Sequence, residues 1–141
     1  MGTRSTIALE FADGTVEQVY CHWDGYLEHN GQILAKHYMD PFKVKELLAL
    51  GGFSSLCADV AETKETAYHS ARGEELVINK YKNADEYFAD CQQEEYDYIL
   101  RNDNSLATWF VRYYETDNTW IELEKAFINE QDRIAQEECE E

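Results

Sequence analysis

A chain of 141 residues with 44% hydrophobic and 13% aromatic residues suffices for one domain with a single core and is too apolar to stay unfolded. Its 29 acidic residues against 12 basic ones leave a net charge of −17, which repels phosphate backbones and leaves no basic stripe for nucleic acid. No apolar run approaches the length of a membrane span, and one proline with seven glycines marks no linker.

Residues 5 to 11, STIALEF, alternate, with Thr6, Ala8 and Glu10 on one face and Ile7, Leu9 and Phe11 on the other. That period of two predicts a half-buried strand. Asp13-Gly14 is a hairpin turn signal and VEQVYCHW is rich in β-formers, so residues 4 to 23 read as a β-hairpin. Residues 30 to 38 are a short helix candidate. Asp40-Pro41 starts another, with aspartate as the cap and proline at the first helical position. Val44, Leu47 and Leu48 share its apolar face, and Gly51-Gly52 end it. Residues 53 to 74 carry few periodic signals and read as a long surface excursion. ELVINKY at 75 to 81 reads as a strand, and Asn83 with Glu86 resembles a capping box for a short helix whose apolar face is Tyr87, Phe88 and Cys91. In EYDYILRN, Tyr96, Tyr98 and Leu100 oppose Asp97 and Ile99. With the turn-like NDNS and the β-rich ATWFVRYYE, residues 95 to 115 read as a second hairpin. Thr119 and Glu122 fit a capping box for a last helix with Trp120, Leu123, Phe127 and Ile134 as its buried stripe. A strand at 119 to 123 followed by a helix fits the β-formers there nearly as well.

Two hairpins plus an extra strand, with three or four helices, predict an α+β fold: a mostly antiparallel sheet with helices packed on one face. Residues 1 to 137 are expected to form a single domain, followed by a frayed acidic tail at 138 to 141. No internal repeat is evident. The opening MGTRSTIALEF lacks a secretory signal, and its weak myristoylation pattern has no polybasic neighbour. Cysteines 21, 57, 91 and 139 show no C-x-x-C spacing and read as reduced thiols of a cytoplasmic protein.

The chemistry is densest in YCHWDGYLEHNG, residues 20 to 31. Cys21, His22, His29 and His37 are near one another, but Cys21 and His22 are adjacent on a strand and point to opposite faces. With no second ligand pair, no metal site is expected, and nothing in the spacing implies a cofactor. Cys21 with His29 or His69 fits a thiol–imidazole pair by residue type, against the commoner reading of a buried thiol. GTRST offers Arg4, Ser5 and Thr6 to an anion, although it leads into a strand where a phosphate loop would lead into a helix. Asp24-Gly25 and Asn30-Gly31 are turns, so Trp23 and Tyr26 either cap the core or line a pocket. A small-ligand site here, for binding or cleaving a nucleotide signal, would draw on Arg4, Ser5, His22, Trp23, Asp24, Tyr26 and His29.

The charge is uneven. Residues 1 to 84 hold 12 acidic and 8 basic side chains, net −4; residues 85 to 141 hold 17 and 4, net −13. An acidic face can imitate nucleic acid toward a basic partner, without direct contact to nucleic acid. The candidate contacts are Glu94, Glu95, Asp97, Glu115, Asp117, Glu122 and Glu124. A well-solvated surface, or an aromatic sheet buried in a homodimer, accounts for the same composition.

The stretch GTRSTIALEFADGTVEQVYCHWDGYLEHNG resembles a widespread group of small uncharacterised proteins of bacteriophages and prophages, in which a TRS start, a short hairpin and a VYCHWDGY segment recur. The resemblance covers about the first 50 residues, with EYDYIL and WFVRYY matching loosely. It implies a phage accessory product in the host cytoplasm that interferes with host machinery such as restriction or CRISPR systems, and it carries no catalytic roles.

Overall fold

The computed structural model describes residues 3–103, 106–117 and 119–139. The first hairpin forms where the alternation places it. β1 (Ser5–Glu10) pairs antiparallel with β2 (Val16–Cys21), from Ser5 opposite Cys21 to Glu10 opposite Val16. The Asp13 carboxylate closes the turn by accepting from the Thr15 amide and hydroxyl at 3.0 and 2.7 Å, and Gly14 takes a φ of 91° there, which costs glycine little. β3 (Asn79–Tyr81) adds to the outer edge of β2. The second hairpin pairs β4 (Tyr96–Asp103) with β5 (Leu106–Tyr113), and β6 (Ile121–Glu122) lies against β5. Part of its NDNS turn lies outside the described residues. The two hairpins meet through β1 and β4, which run parallel from Ser5 opposite Tyr96 to Leu9 opposite Leu100. The sheet order is β3-β2-β1-β4-β5-β6, so the fold is α+β with a mixed, mostly antiparallel sheet.

The helices cover both faces, where helices on one face were expected. A π-helical turn at Leu27–Gly31 runs into α1 (Gln32–His37). α2 (Pro41–Leu48) starts as its cap predicts, with the Asp40 carboxylate accepting from the Phe42 amide at 3.0 Å. α1, α2 and the start of α6 (Leu123–Cys139) supply Leu34, Val44, Leu47, Leu48, Leu123 and Ala126 to a core built on Ile7, Leu9, Tyr98, Leu100, Trp109 and Val111. Each fully buried leucine or isoleucine there contributes about 1.5–3 kcal/mol. The opposite face holds Ala8, Val16 and Ile99 under Tyr87 and Cys91, brought by α5 (Ala84–Asp90). The Asn83 side chain caps α5 by accepting from the Glu86 amide at 2.8 Å, while Glu86 reaches back to the Lys82 amide. β1 is therefore buried along its whole length, not half-buried.

Three further expectations change. Residues 53 to 74 do not form a surface excursion: they fold into α3 (Val60–Lys64) and α4 (Tyr68–Arg72) and bury Phe53, Leu56, Thr63 and Ala67. Phe53 even bridges Cys21 and Ala67 as a strand residue would. The strand expected at 75 to 81 shrinks to three residues, with Leu76 and Val77 exposed. α6 (Leu123–Cys139) follows directly on β6, so the strand-then-helix reading holds. Trp120 then packs on Tyr87 and Phe88 across the sheet, and Ile134 is 41% exposed, so neither joins Leu123 and Phe127 on the buried stripe.

Candidate functional site

Residues 20 to 31 tie the first hairpin to three neighbours at once. Beyond β2, the chain stays paired: the His22 and Trp23 amides donate to the Phe53 and Ser54 carbonyls at 3.2 and 2.8 Å. Asp24 then turns at φ 57°, and the Gly25 amide donates to Thr3 O at 2.8 Å. Gly25 sits so close to the first strand that a Cβ there would lie 2.6 Å from Ser5 Cβ. The buried Tyr98 hydroxyl donates to Gly25 O at 2.6 Å, locking the turn to β4. Asn30, also buried, donates to Ser5 Oγ at 3.1 Å and to Cys21 Sγ at 3.4 Å.

This lock settles the local roles of several residues. Burial pushes the Cys21 thiol up to about 11, against the Asn30 bond, so it stays a protonated core thiol. His29 bonds Asn30 Oδ1 at 2.9 Å, and His69 lies on α4 bonded to Glu74 O at 2.7 Å; neither partners Cys21. No three His, Cys, Asp or Glu side chains converge as a metal ion requires, among the described residues. No disulfide joins Cys21, Cys57 or Cys91.

Of the seven candidate ligand residues, the structure brings only His22 and Trp23 to a common cleft. The cleft holds about 460 Å³, and its other walls are Ser54, Tyr68, Arg72 and Glu74. Ser5 is buried under the turn; Asp24, Tyr26 and His29 lie outside the cleft, with Tyr26 and His29 ring to ring at 6.3 Å. Arg4 is exposed, and its charge opposes the upward push of burial on the Tyr20 phenol. Tyr20 in turn bonds His22 Nδ1 at 2.8 Å. Tyr68, Arg72 and Glu74 come from the segment whose pattern suggested only surface.

The acidic candidates divide. Pairing of Tyr96 with Tyr113 places Glu94 and Glu95 at the same end of the second hairpin as Glu115 and Asp117. Glu122 and Glu124 lie apart, on β6 and the first turn of α6, beside a cavity of about 360 Å³ that includes Met39 and Phe127. Asp97 is no surface contact: it is 1% exposed and ion-paired with Arg112 at 3.0 Å. At the hairpin end, Tyr96 stacks on Tyr113 with centroids 4.8 Å apart, and Tyr114 meets Tyr113 edge-on while remaining 69% exposed. Burial pushes the Tyr113 phenol up to about 12, and the charges of Glu130, Glu115 and Glu28 add to the push. Glu28 and Glu130 act on Tyr96 in the same way. Neither glutamate was a candidate on sequence, because Glu28 lies 66 residues before Glu94 and Glu130 lies on the last helix.

The sequence also hides a buried polar network on the second face. Asp97 accepts from Thr6 Oγ1 at 2.6 Å, from Arg112 Nη2 at 3.0 Å and from the Glu94 amide at 3.1 Å. Burial still pushes its carboxyl up from the ordinary value, against those bonds. Gln18 links Thr6 to Gln92 O, and Arg112 also reaches Cys91 Sγ at 3.5 Å and lies 4.9 Å over the Trp120 ring. The Tyr87 hydroxyl beside this network is buried with no hydrogen-bond partner among the described residues. The network ties β1, β2, β4 and β5 together across the parallel join of the two hairpins.

No helix among the described residues is long and apolar enough to cross a membrane. No family model matches the chain, and neither curated proteins nor solved structures yield a match.

Proposed function

We propose that the protein is a non-enzymatic binding protein whose tyrosine-bearing acidic edge, at the open end of the second hairpin, takes a basic surface of another protein. The observation that carries this reading is that Glu28, Glu115 and Glu130, from three separate parts of the chain, bring their charges to Tyr113, which stacks on Tyr96. Glu94, Glu95 and Asp117 extend the same edge. Tyr113 is only 4% exposed, so the ring offered to a partner is Tyr114, packed edge-on against it and 69% exposed; an exposed phenol framed by carboxylates suits arginine and lysine side chains, which stack on aromatic faces and pair with carboxylates. A net charge of −17 steers such a partner from a distance. A basic surface of that kind is what nucleic-acid-handling proteins present. The resemblance of the first 50 residues to phage and prophage proteins supports a host target in the host cytoplasm, of the restriction or CRISPR type. The binding protein would then occupy the groove that nucleic acid otherwise fills.

The test is capture from host lysate across a salt series, followed by a nucleic-acid-binding assay on the captured protein. Capture should weaken with salt and with Glu28→Lys plus Glu115→Lys, while Glu122→Lys plus Glu124→Lys leaves it intact. The captured protein should lose its nucleic acid in proportion to occupancy. A partner held equally by the Glu28/Glu115 reversal, or one whose nucleic acid stays bound, counts against the proposal.

A further inference from the structure

We propose that the cleft between Trp23 and Tyr68 is a binding site for a nucleoside monophosphate, separate from the acidic edge. Several cavities could take a ligand, and the polar groups of three of them separate the candidates. The largest, about 790 Å³ beside Phe11 and Phe42, offers Arg101, already paired with Glu10 at 3.2 Å, and Lys45, a point charge without the planar fork of an arginine. A cavity of about 260 Å³ offers the amides of Gln18, Asn79 and Gln92, but these bond one another: Asn79 Nδ2 reaches Gln18 Oε1 at 3.3 Å and Gln92 Oε1 at 3.0 Å. The Trp23 cleft, about 460 Å³, falls within the size range of small-ligand pockets, and its groups keep their capacity.

Trp23 is 42% exposed, whereas Trp109 is 3% exposed in the core. An indole left in water is held there by the backbone bond to Ser54 O and by the His22 ring, which meets it edge-on at 4.6 Å. The Tyr68 ring is seated on Gly52, where a Cβ would come within 3.2 Å. The exposed Trp23 ring is preorganised to stack on a flat aromatic group, as bases stack on aromatic side chains, and Tyr68 forms the facing wall. Arg72 lies 5.3 Å over the Tyr68 ring and has no ion pair among the described residues, in a chain with 29 acids. Its planar fork suits a phosphate. His22 Nδ1 is taken by Tyr20, which leaves Nε2 for the ligand. Glu74 on the same wall accepts from ribose hydroxyls. One cation beside one carboxylate, inside a field of −17, favours a single phosphate over a triphosphate or a strand.

Isothermal calorimetry and tryptophan fluorescence on the full chain test this, with AMP, GMP, CMP and UMP as ligands and adenosine and inorganic phosphate as separate arms. At least one monophosphate should bind saturably and quench the exposed indole. Arg72→Gln should weaken it tenfold or more while leaving the nucleoside unchanged, and Trp23→Ala should weaken nucleotide and nucleoside alike by calorimetry. Both side chains are on the surface, and an unchanged unfolding midpoint confirms that the variants fold. Absence of saturable binding by all four monophosphates at millimolar concentration overturns the proposal. So does binding that survives Trp23→Ala, or phosphate alone binding as tightly as the nucleotide. The acidic-edge variants should leave the affinity within a few-fold, so the two readings fail independently.

Discussion

Tyr98→Phe isolates the bond that fastens the hairpin exit to the sheet. Tyr98 is fully buried, and its hydroxyl donates to Gly25 O at 2.6 Å. The phenyl ring of the variant fills the same space, so apolar packing is retained and only the hydroxyl is lost. The Gly25 carbonyl is then left in a buried turn. Water has little room to replace the hydroxyl, because a Cβ on Gly31 would already lie 3.4 Å from the Tyr98 oxygen and 3.3 Å from Phe127. An unsatisfied buried acceptor costs about 1–3 kcal/mol, and the enclosed site argues for about 2. For a domain of this size that lowers the melting temperature by about 8 °C. Urea unfolding should show the midpoint falling with an unchanged slope. Tyr96→Phe is the control, since its half-buried hydroxyl has no comparable tie. A Tyr98→Phe loss under about 0.5 kcal/mol, or one equal to that of Tyr96→Phe, would refute the claim that this bond holds the turn.

Further outcomes follow from the same geometry. Removing either Asp97 or Arg112 alone should cost about 3–5 kcal/mol, because each strands a buried charge; a urea double-mutant cycle should give strong coupling, and additive losses would contradict the pairing. Gly25→Ala should cost about 1–3 kcal/mol from overpacking against Ser5 and Thr3, read as a lowered urea midpoint, and a neutral result would mean that the turn yields. Alkali should unfold the protein cooperatively. Burial raises the Tyr98 and Tyr87 phenols well above 10 and Tyr38 to about 12. The folded state thus keeps protons that the unfolded chain releases near pH 10. Stability is then whole below that pH and declines as pH climbs from it toward the folded values. Phenolate absorbance should appear together with the loss of circular dichroism; phenolates forming at their ordinary value in a chain that stays folded would refute the burial.

Local chemistry was readable where a single residue type enforces it. Asp13-Gly14, Asp40-Pro41 and Asn83 each mark an element end because their side chains or backbone act within a few residues. The parallel pairing of β1 with β4 leaves no such local mark, since Ile7 meets Tyr98 across the length of the chain. That pairing is also why Thr6 and Asp97 mislead: alternation sets them on the polar faces of their strands, yet they bond to each other, and Asp97 to Arg112, in the buried interior. Residues 53 to 74 bury Phe53, Leu56, Thr63 and Ala67 at intervals of three, seven and four, a helical period, yet only Thr63 lies within a helix and Phe53 pairs as a strand residue would, so the period does not report the local structure. At the cleft, the stretch from 20 to 31 identified one wall through Trp23 and His22. The other wall, Tyr68 and Arg72, carried one readable sign: Gly73, whose φ of 70° ends α4. The acidic edge was half visible, because Glu115 lies beside the tyrosines in the chain while Glu28 and Glu130 reach them only through the fold.

The parallel join of β1 and β4 also sets an order in time. During synthesis β1 and β2 can close their hairpin early, but the other edge of β1 waits until residues 96 to 100 emerge. Until then the most buried strand of the finished sheet offers an open row of amides and carbonyls to any passing chain, the condition under which strands aggregate. Contacts this distant also slow the search for the native state. A ribosome stalled shortly before residue 96 should therefore hold a hairpin with one edge of β1 unpaired and prone to association, and the step that commits the molecule to its fold comes only when the second hairpin arrives.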